Sequence, residues 1–163
     1  MSTLLASVSA RTWLVLLGLA SAAALGSAYS LQYLAGFEPC QMCYWQRYPY
    51  MAVIAVAVIG VASRFVRLGL LLAFALFLVG VGLAAWHVGV EQGIFPLPPG
   101  CAVIGTATTV EELRALIEAA PPSCDQVTVS FLGLSLSAWN GITAFLLAAV
   151  TFAALWRDRQ VSY

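Results

Sequence analysis

The chain contains no lysine, a single histidine and little charge of either sign, with seven arginines and seven acids among 163 residues. A protein that grips nucleic acid needs a basic patch or stripe to neutralise phosphates, and seven scattered arginines supply none. A soluble domain is about one quarter charged, whereas this chain is 9% charged and 62% hydrophobic. Long polar stretches are also missing. The only sizeable aqueous segment runs from about residue 91 to 133, too short to bury a core of its own. No internal repeat or low-complexity linker interrupts the rest. These absences leave one class, a single integral membrane domain over residues 1–163.

The few charges cut the sequence into four uncharged runs. They hold 26 residues between Arg11 and Glu38, 16 between Arg47 and Arg64, 23 between Arg67 and Glu91, and 31 between Asp125 and Arg157. A helix needs about 20 mainly apolar residues to cross a bilayer. Three runs meet that outright, and the second meets it if it begins near Tyr44 with Arg47 among the headgroups. The first is longer than the apolar core of a signal peptide, about 7–15 residues, so it is expected as a retained span. The expected fold is therefore an all-α bundle of four transmembrane helices, at about 12–35, 44–63, 68–90 and 134–156. Pro49 lies inside the second, so that helix either kinks or starts near Tyr48.

Orientation follows from the arginines. Arg11, Arg64, Arg67, Arg157 and Arg159 share one side, and only Arg47 and Arg114 lie on the other. The positive-inside rule then puts both termini in the cytoplasm. All four cysteines fall on the external side, which in a bacterium is the periplasm, where disulfides persist. Two external loops are expected, at about 36–43 and 91–133. Within the second, Thr109-Val110-Glu111-Glu112 is a capping-box pattern. Val110, Leu113, Leu116 and Ile117 follow at helical spacing, which predicts a short amphipathic helix suited to a membrane surface.

Cys40-Gln41-Met42-Cys43 carries the chemistry. A ring closed over two intervening residues restrains little chain, so a structural role explains this pair poorly. Cys101 and Cys124 have 22 residues between them and lie beside proline-rich segments that suit a movable bridge. Four cysteines on one side allow three pairings. No metal is expected, because only one of the two pairs has short ligand spacing and His87 sits at a helix end. Arg47 follows Cys43 by four residues, one helical turn. A cation there favours thiolate, the nucleophilic form. Tyr44, Trp45, Tyr48 and Tyr50 cluster at the same boundary, chiefly as an interfacial belt.

Four predicted spans, a first external Cys-x-x-Cys, an arginine four residues beyond it and two cysteines in the second external loop together resemble the DsbB family over essentially the whole chain. The resemblance implies a membrane oxidase that regenerates the disulfide of a periplasmic DsbA-like thioredoxin-fold protein. Electrons would pass to ubiquinone or menaquinone, and so to the quinone pool of the respiratory chain. It implies that the partner's thiolate attacks Cys101, that Cys124 then attacks Cys40, and that Cys43 becomes the thiolate facing quinone beside Arg47. His87, Glu91 and Gln92, near the external end of the third helix, are the further candidates for contact with quinone. Two other readings compete. A reductase of the vitamin-K-epoxide-reductase type also has four helices and a Cys-x-x-Cys beside quinone, but carries that motif late in the chain. A membrane scaffold or metal-handling protein with structural disulfides would be no enzyme.

Overall fold

A computed structural model describes residues 8–101, 108–119 and 121–161. Helix α1 covers Ala10–Tyr33, α2 Gln41–Trp45, α3 Arg47–Ala62, α4 Val66–Glu91, α5 Val110–Ala119 and α6 Leu136–Val161. Strands β1 (Ser130–Phe131) and β2 (Leu134–Ser135) form a small antiparallel hairpin just before α6. Among the described residues, three helices are long and apolar enough to cross a membrane: α1, α4 and the Leu136–Asp158 part of α6. Helix α3 has 16 residues, or about 24 Å at 1.5 Å per residue, against a hydrocarbon core of about 30 Å.

The second predicted helix is not continuous. Proline has no N–H to donate to the carbonyl four residues earlier, and its ring crowds that oxygen. For Pro49 that carbonyl belongs to Trp45, and α2 ends at Trp45. Gln46 is at once the C-cap of α2 and the N-cap of α3. Pro49 then sits in the first turn of α3, where backbone N–H groups lack helical partners anyway. The proline neither kinks a continuous helix nor delays its start to Tyr48; it divides the segment at Gln46.

Helix α1 packs along α3, α4 along α6, and α3 against α4. Arg11, at the start of α1, donates to the Val61 carbonyl near the end of α3. Arg67, at the start of α4, lies 4.0 Å from Asp158 near the end of α6. The helices therefore alternate up and down, with these charges at one end and all four cysteines at the other. Between the ends, Leu14, Leu17, Val53, Leu70, Ala73 and Phe77 form a core with almost no exposure.

Leu14 fixes the closest approach. Its side chain fills the notch where Gly60 of α3 and Gly69 of α4 bring their Cα atoms together, and a Cβ at Gly60 would stand 2.6 Å from Leu14 Cδ2. Leu14 is fully buried and has nowhere to retreat. Gly60→Ala is therefore expected to destabilise the detergent-solubilised chain by about 1–3 kcal/mol, as overpacking does. Gly26→Ala, whose new methyl would meet nothing within 4 Å, is expected to leave the melting temperature level or slightly raised. Equal melting shifts in the two variants would refute this packing.

Helix α5 begins with the capping box. The Thr109 Oγ1 accepts from Glu112 N at 3.2 Å, and Glu112 Oε2 accepts from Thr108 N and Thr108 Oγ1, both at 2.8 Å. These donors, Thr108 N–H first, hold the Glu112 carboxyl below its usual range. Val110 and Leu113, the described part of its apolar face, are exposed. The hairpin has no counterpart among the sequence expectations. Its turn is Leu132-Gly133, both at positive φ (51° and 79°), and leucine seldom adopts that conformation.

Candidate active site

Pro39 leads into Cys40, which is the N-cap of α2 and accepts the Cys43 N–H at 3.4 Å. This cap brings the two sulfurs to 3.1 Å of each other, both as free thiols. Cys101 and Cys124 form a disulfide. Cys40, Cys101 and Cys124 are all buried and share one apolar cluster with Met42 and Val90, against which Cys43 and Trp45 pack. The structure thus brings together all four cysteines singled out from the sequence.

The thiolate of the reduced Cys40–Cys43 pair resides on Cys40. The Cys43 thiol hydrogen-bonds to that sulfur and draws its pKa down to about 5; burial opposes this, and His87 assists. The same hydrogen bond, together with burial and the Cys40 charge, pushes Cys43 above the ordinary thiol range, and Arg47 offsets only a little of it. Arg47 lowers the Cys43 pKa, as expected of a cation there, but in this reduced state the hydrogen bond and charge of Cys40 outweigh it.

Arg47 is nonetheless buried, with 7% exposure. Its guanidinium lies 4.7 Å from the centre of the Tyr29 ring and 4.9 Å from that of Tyr44. It donates to Gln32 Oε1 at 2.6 Å, and Gln32 Nε2 donates to the Tyr44 hydroxyl at 3.1 Å. Ring faces and an amide oxygen stabilise the cation without neutralising it. Tyr44, itself partly exposed, therefore forms a wall beside the cation; Tyr48 is more exposed still, and Trp45 stacks on Trp86.

His87 is buried at the centre. Its Nε2 lies 3.6 Å from Cys40 Sγ and 3.8 Å from Glu91 Oε1, and its Nδ1 lies 2.7 Å from Gln46 Nε2. Gln46 Oε1 accepts from Asn140 Nδ2 at 2.7 Å, and Asn140 Oδ1 accepts from the Tyr50 hydroxyl at 2.8 Å. In this direction of the chain Nδ1 is an acceptor, so the neutral ring carries its proton on Nε2, aimed at Cys40. Glu91 turns its carboxylate to the Ser135 and Ser137 hydroxyls. Gln92, the third candidate of this group, is the exposed C-cap of α4 and does not join the cluster.

Cys40, Cys43, Gln46, Arg47, His87 and Glu91 line one side of a cavity of about 470 Å³. Ala20, Ala24, Ala28 and Leu31 of α1 line another part. Flat polar groups at one end and small apolar groups at the other suit a ring-bearing lipid-soluble molecule, and the volume lies in the usual ligand range of about 300–1,000 Å³. Gln32, Gln46, Tyr50, Asn140, Ser135 and Ser137 were not among the residues expected here. For Gln46 and Asn140 the available signal was an amide inside or beside an apolar run, which marks a functional position in a membrane helix.

These features define a class, a helical membrane protein with a buried dithiol and a second, disulfide-bonded cysteine pair beside an apolar cavity. The family model described as "Disulfide bond formation protein DsbB" matches residues 10–154. A "Disulfide bond formation protein B" of Albidiferax ferrireducens is 32% identical over 94% of this chain and 93% of its own length. "Disulfide bond formation protein B 1" of Burkholderia lata is 30% identical over 92% and 91%, and the protein of that name from Methylococcus capsulatus, without the numeral, is 30% identical over 93% and 98%. The chain belongs to the DsbB family.

Proposed function

We propose that this chain is a membrane thiol oxidase that makes disulfides for a periplasmic DsbA-like thioredoxin-fold protein and hands the electrons to a membrane quinone. One observation carries the reading: both cysteine pairs converge in a single buried cluster that opens on a cavity also lined by a buried arginine. Thiol exchange needs sulfurs within reach of one another, and transfer to a lipid-soluble acceptor needs a site beside lipid.

The partner's thiolate attacks Cys101 and releases Cys124. The Cys124 thiolate attacks Cys40 of the Cys40–Cys43 disulfide and releases Cys43. The partner's second thiol attacks its own mixed disulfide and releases Cys101, whose thiolate attacks Cys124 of the Cys40–Cys124 bond and releases Cys40. The partner's disulfide is then closed and Cys101–Cys124 is restored, and the two electrons and two protons stand on Cys40 and Cys43, the reduced pair of this structure, until a bound acceptor takes them and Cys40–Cys43 closes again. Cys101 is 4% exposed, so the first step requires the loop to lift. While Cys40 is held in the bond to Cys124 it has no charge to raise the Cys43 pKa. Arg47 then acts on Cys43 unopposed by its neighbour. A quinone, ubiquinone or menaquinone, supplies a two-electron acceptor when bound. Arg47, with Tyr29 and Tyr44 around it, fits the role of holding a polar ring oxygen, and the His87 Nε2–H stands ready to donate a proton.

The membrane placement belongs to the same proposal. Helix α3 makes a fourth crossing, short enough to leave α2 and the cysteines at the external edge, and the bilayer adapts to modest mismatch of this kind. Both termini face the cytoplasm of a bacterial inner membrane and the cysteines face the periplasm. Helix α5 lies with Val110 and Leu113 against the headgroups.

The test mixes the purified chain in detergent with a reduced DsbA-like protein and a soluble quinone, and follows thiol loss beside quinone reduction. Two thiols are expected to be lost for each quinone reduced. Cys101→Ala is expected to abolish oxidation of the partner while small dithiols still drive quinone reduction. Undiminished oxidation of the partner by that variant would overturn the order of exchange.

A further inference from the structure

Cysteine spacing alone argues against a metal, yet three good ligands meet at the dithiol. Cys40 Sγ, Cys43 Sγ and a ring nitrogen of His87 all lie within 4.8 Å of one another. We propose that the reduced chain holds one thiophilic cation of the zinc type on Cys40, Cys43 and His87, and that this site exists only while the dithiol is reduced. Tetrahedral zinc with bonds of about 2.3 Å to sulfur and about 2.0–2.1 Å to nitrogen sets sulfurs about 3.8 Å apart and sulfur and nitrogen about 3.5 Å apart. The structure has 3.1 Å between the sulfurs and 3.6 Å from Cys40 Sγ to His87 Nε2. Opening the sulfur pair by less than 1 Å is enough, and Cys43, the less buried of the two, is the one free to move.

The surroundings also suit a ligating histidine. A metal on Nε2 requires the proton on Nδ1 and an acceptor facing it. Gln46 faces Nδ1, and its amide supplies an oxygen in place of its nitrogen if it turns over. Asn140 turns with it, and the Tyr50 hydroxyl at the end of the chain serves as acceptor as readily as donor. The chain Gln46–Asn140–Tyr50 therefore satisfies either state of the ring without leaving a buried group unpaired. Three protein ligands leave the fourth position open to the cavity, where water completes the coordination. Binding releases the thiol proton of Cys43, Cys40 being already a thiolate at neutral pH, and changes no oxidation state. A disulfide between Cys40 and Cys43 removes both sulfur ligands, so the cation is expelled when the dithiol is oxidised. While bound, it blocks both sulfurs, and the chain passes no electrons.

The inference stands on ligand geometry and not on which acceptor takes the electrons. Cobalt(II) is the probe, added to the full-length chain in detergent carrying Cys101→Ser and Cys124→Ser, so that no other thiols compete. One equivalent is expected to give tetrahedral cobalt bands together with sulfur-to-cobalt charge transfer. Oxidising the Cys40–Cys43 pair with diamide should remove the bands, and re-reduction should restore them. Gln46→Leu is expected to weaken binding about 10–100-fold through loss of the partner of His87, and His87→Ala further. Should either substitution fail to fold, the oxidised and reduced forms of the same chain still decide the matter. Bands that survive oxidation, a spectrum without sulfur charge transfer, or no cobalt uptake by the folded reduced chain would overturn the site. None of these outcomes alters thiol oxidation measured without metal, which tests the proposed function separately.

Discussion

Replacing Cys40 with serine is expected to stop electron flow through the chain, lowering oxidation of the partner by on the order of 10³-fold or more, as loss of a nucleophile that acts in a unit does. The same substitution has a spectroscopic signature. In the reduced parent, one thiolate should appear with a pKa of about 5, read by its ultraviolet absorbance. Below that pH the Cys40 thiolate is protonated and re-closure of the reduced Cys40–Cys43 pair should slow; at neutral pH the thiolate is fully formed. Cys40→Ser should remove this step altogether. Cys43→Ala should instead move it upward, because the largest influence holding Cys40 down is the hydrogen bond from Cys43. A step near 5 that survives in Cys40→Ser would assign the thiolate to the wrong sulfur.

Arg47→Gln should cost about 10²–10³-fold in the rate of quinone reduction, the usual loss when one group facing developing charge is removed. Gln32, Tyr29 and Tyr44 hold the guanidinium in place, so its charge is aimed before any acceptor arrives. The planar group matters as well as the charge. Lysine offers a compact ammonium that cannot lie between two ring faces while donating in the same plane, so Arg47→Lys should recover only part of the loss. Exchange between the partner and Cys101 should be unaffected in both variants, measured by trapping the mixed disulfide. If single-turnover quinone reduction is unchanged in Arg47→Gln, the arginine is a packing element and no more.

The legibility of the site varied with the kind of signal each residue carries. Cysteines announce themselves by spacing, and the Cys-x-x-Cys with its distant pair was readable at once. Arg47 was readable because a cation beside an apolar run requires a reason. The relation drawn between Arg47 and Cys43 holds in direction, but the spacing could not show that the Cys40 charge outweighs it in the reduced pair. The effect of Pro49 on the Trp45 carbonyl is local, and both residues were in view, yet kink, late start and break are close in energy until neighbouring helices choose among them. His87 and Glu91 were nominated with Gln92 as one group. Only the helical phase of α4, set by its packing on α3 and α6, turns the first two inward and leaves Gln92 exposed.

The charge map and the apolar runs were enough to set the membrane class, the helix positions within a few residues and the end of the bundle that holds the cysteines. These follow from solvation, which acts residue by residue and so can be read along a chain. Contacts between residues far apart in the chain needed the tertiary structure. It placed the thiolate on Cys40, surrounded Arg47 with Tyr29, Gln32 and Tyr44, and linked His87 through Gln46 and Asn140 to Tyr50. Hydrogen bonds and pKa values depend on ångström distances between atoms that lie up to 94 positions apart in the chain, and no local pattern encodes those distances.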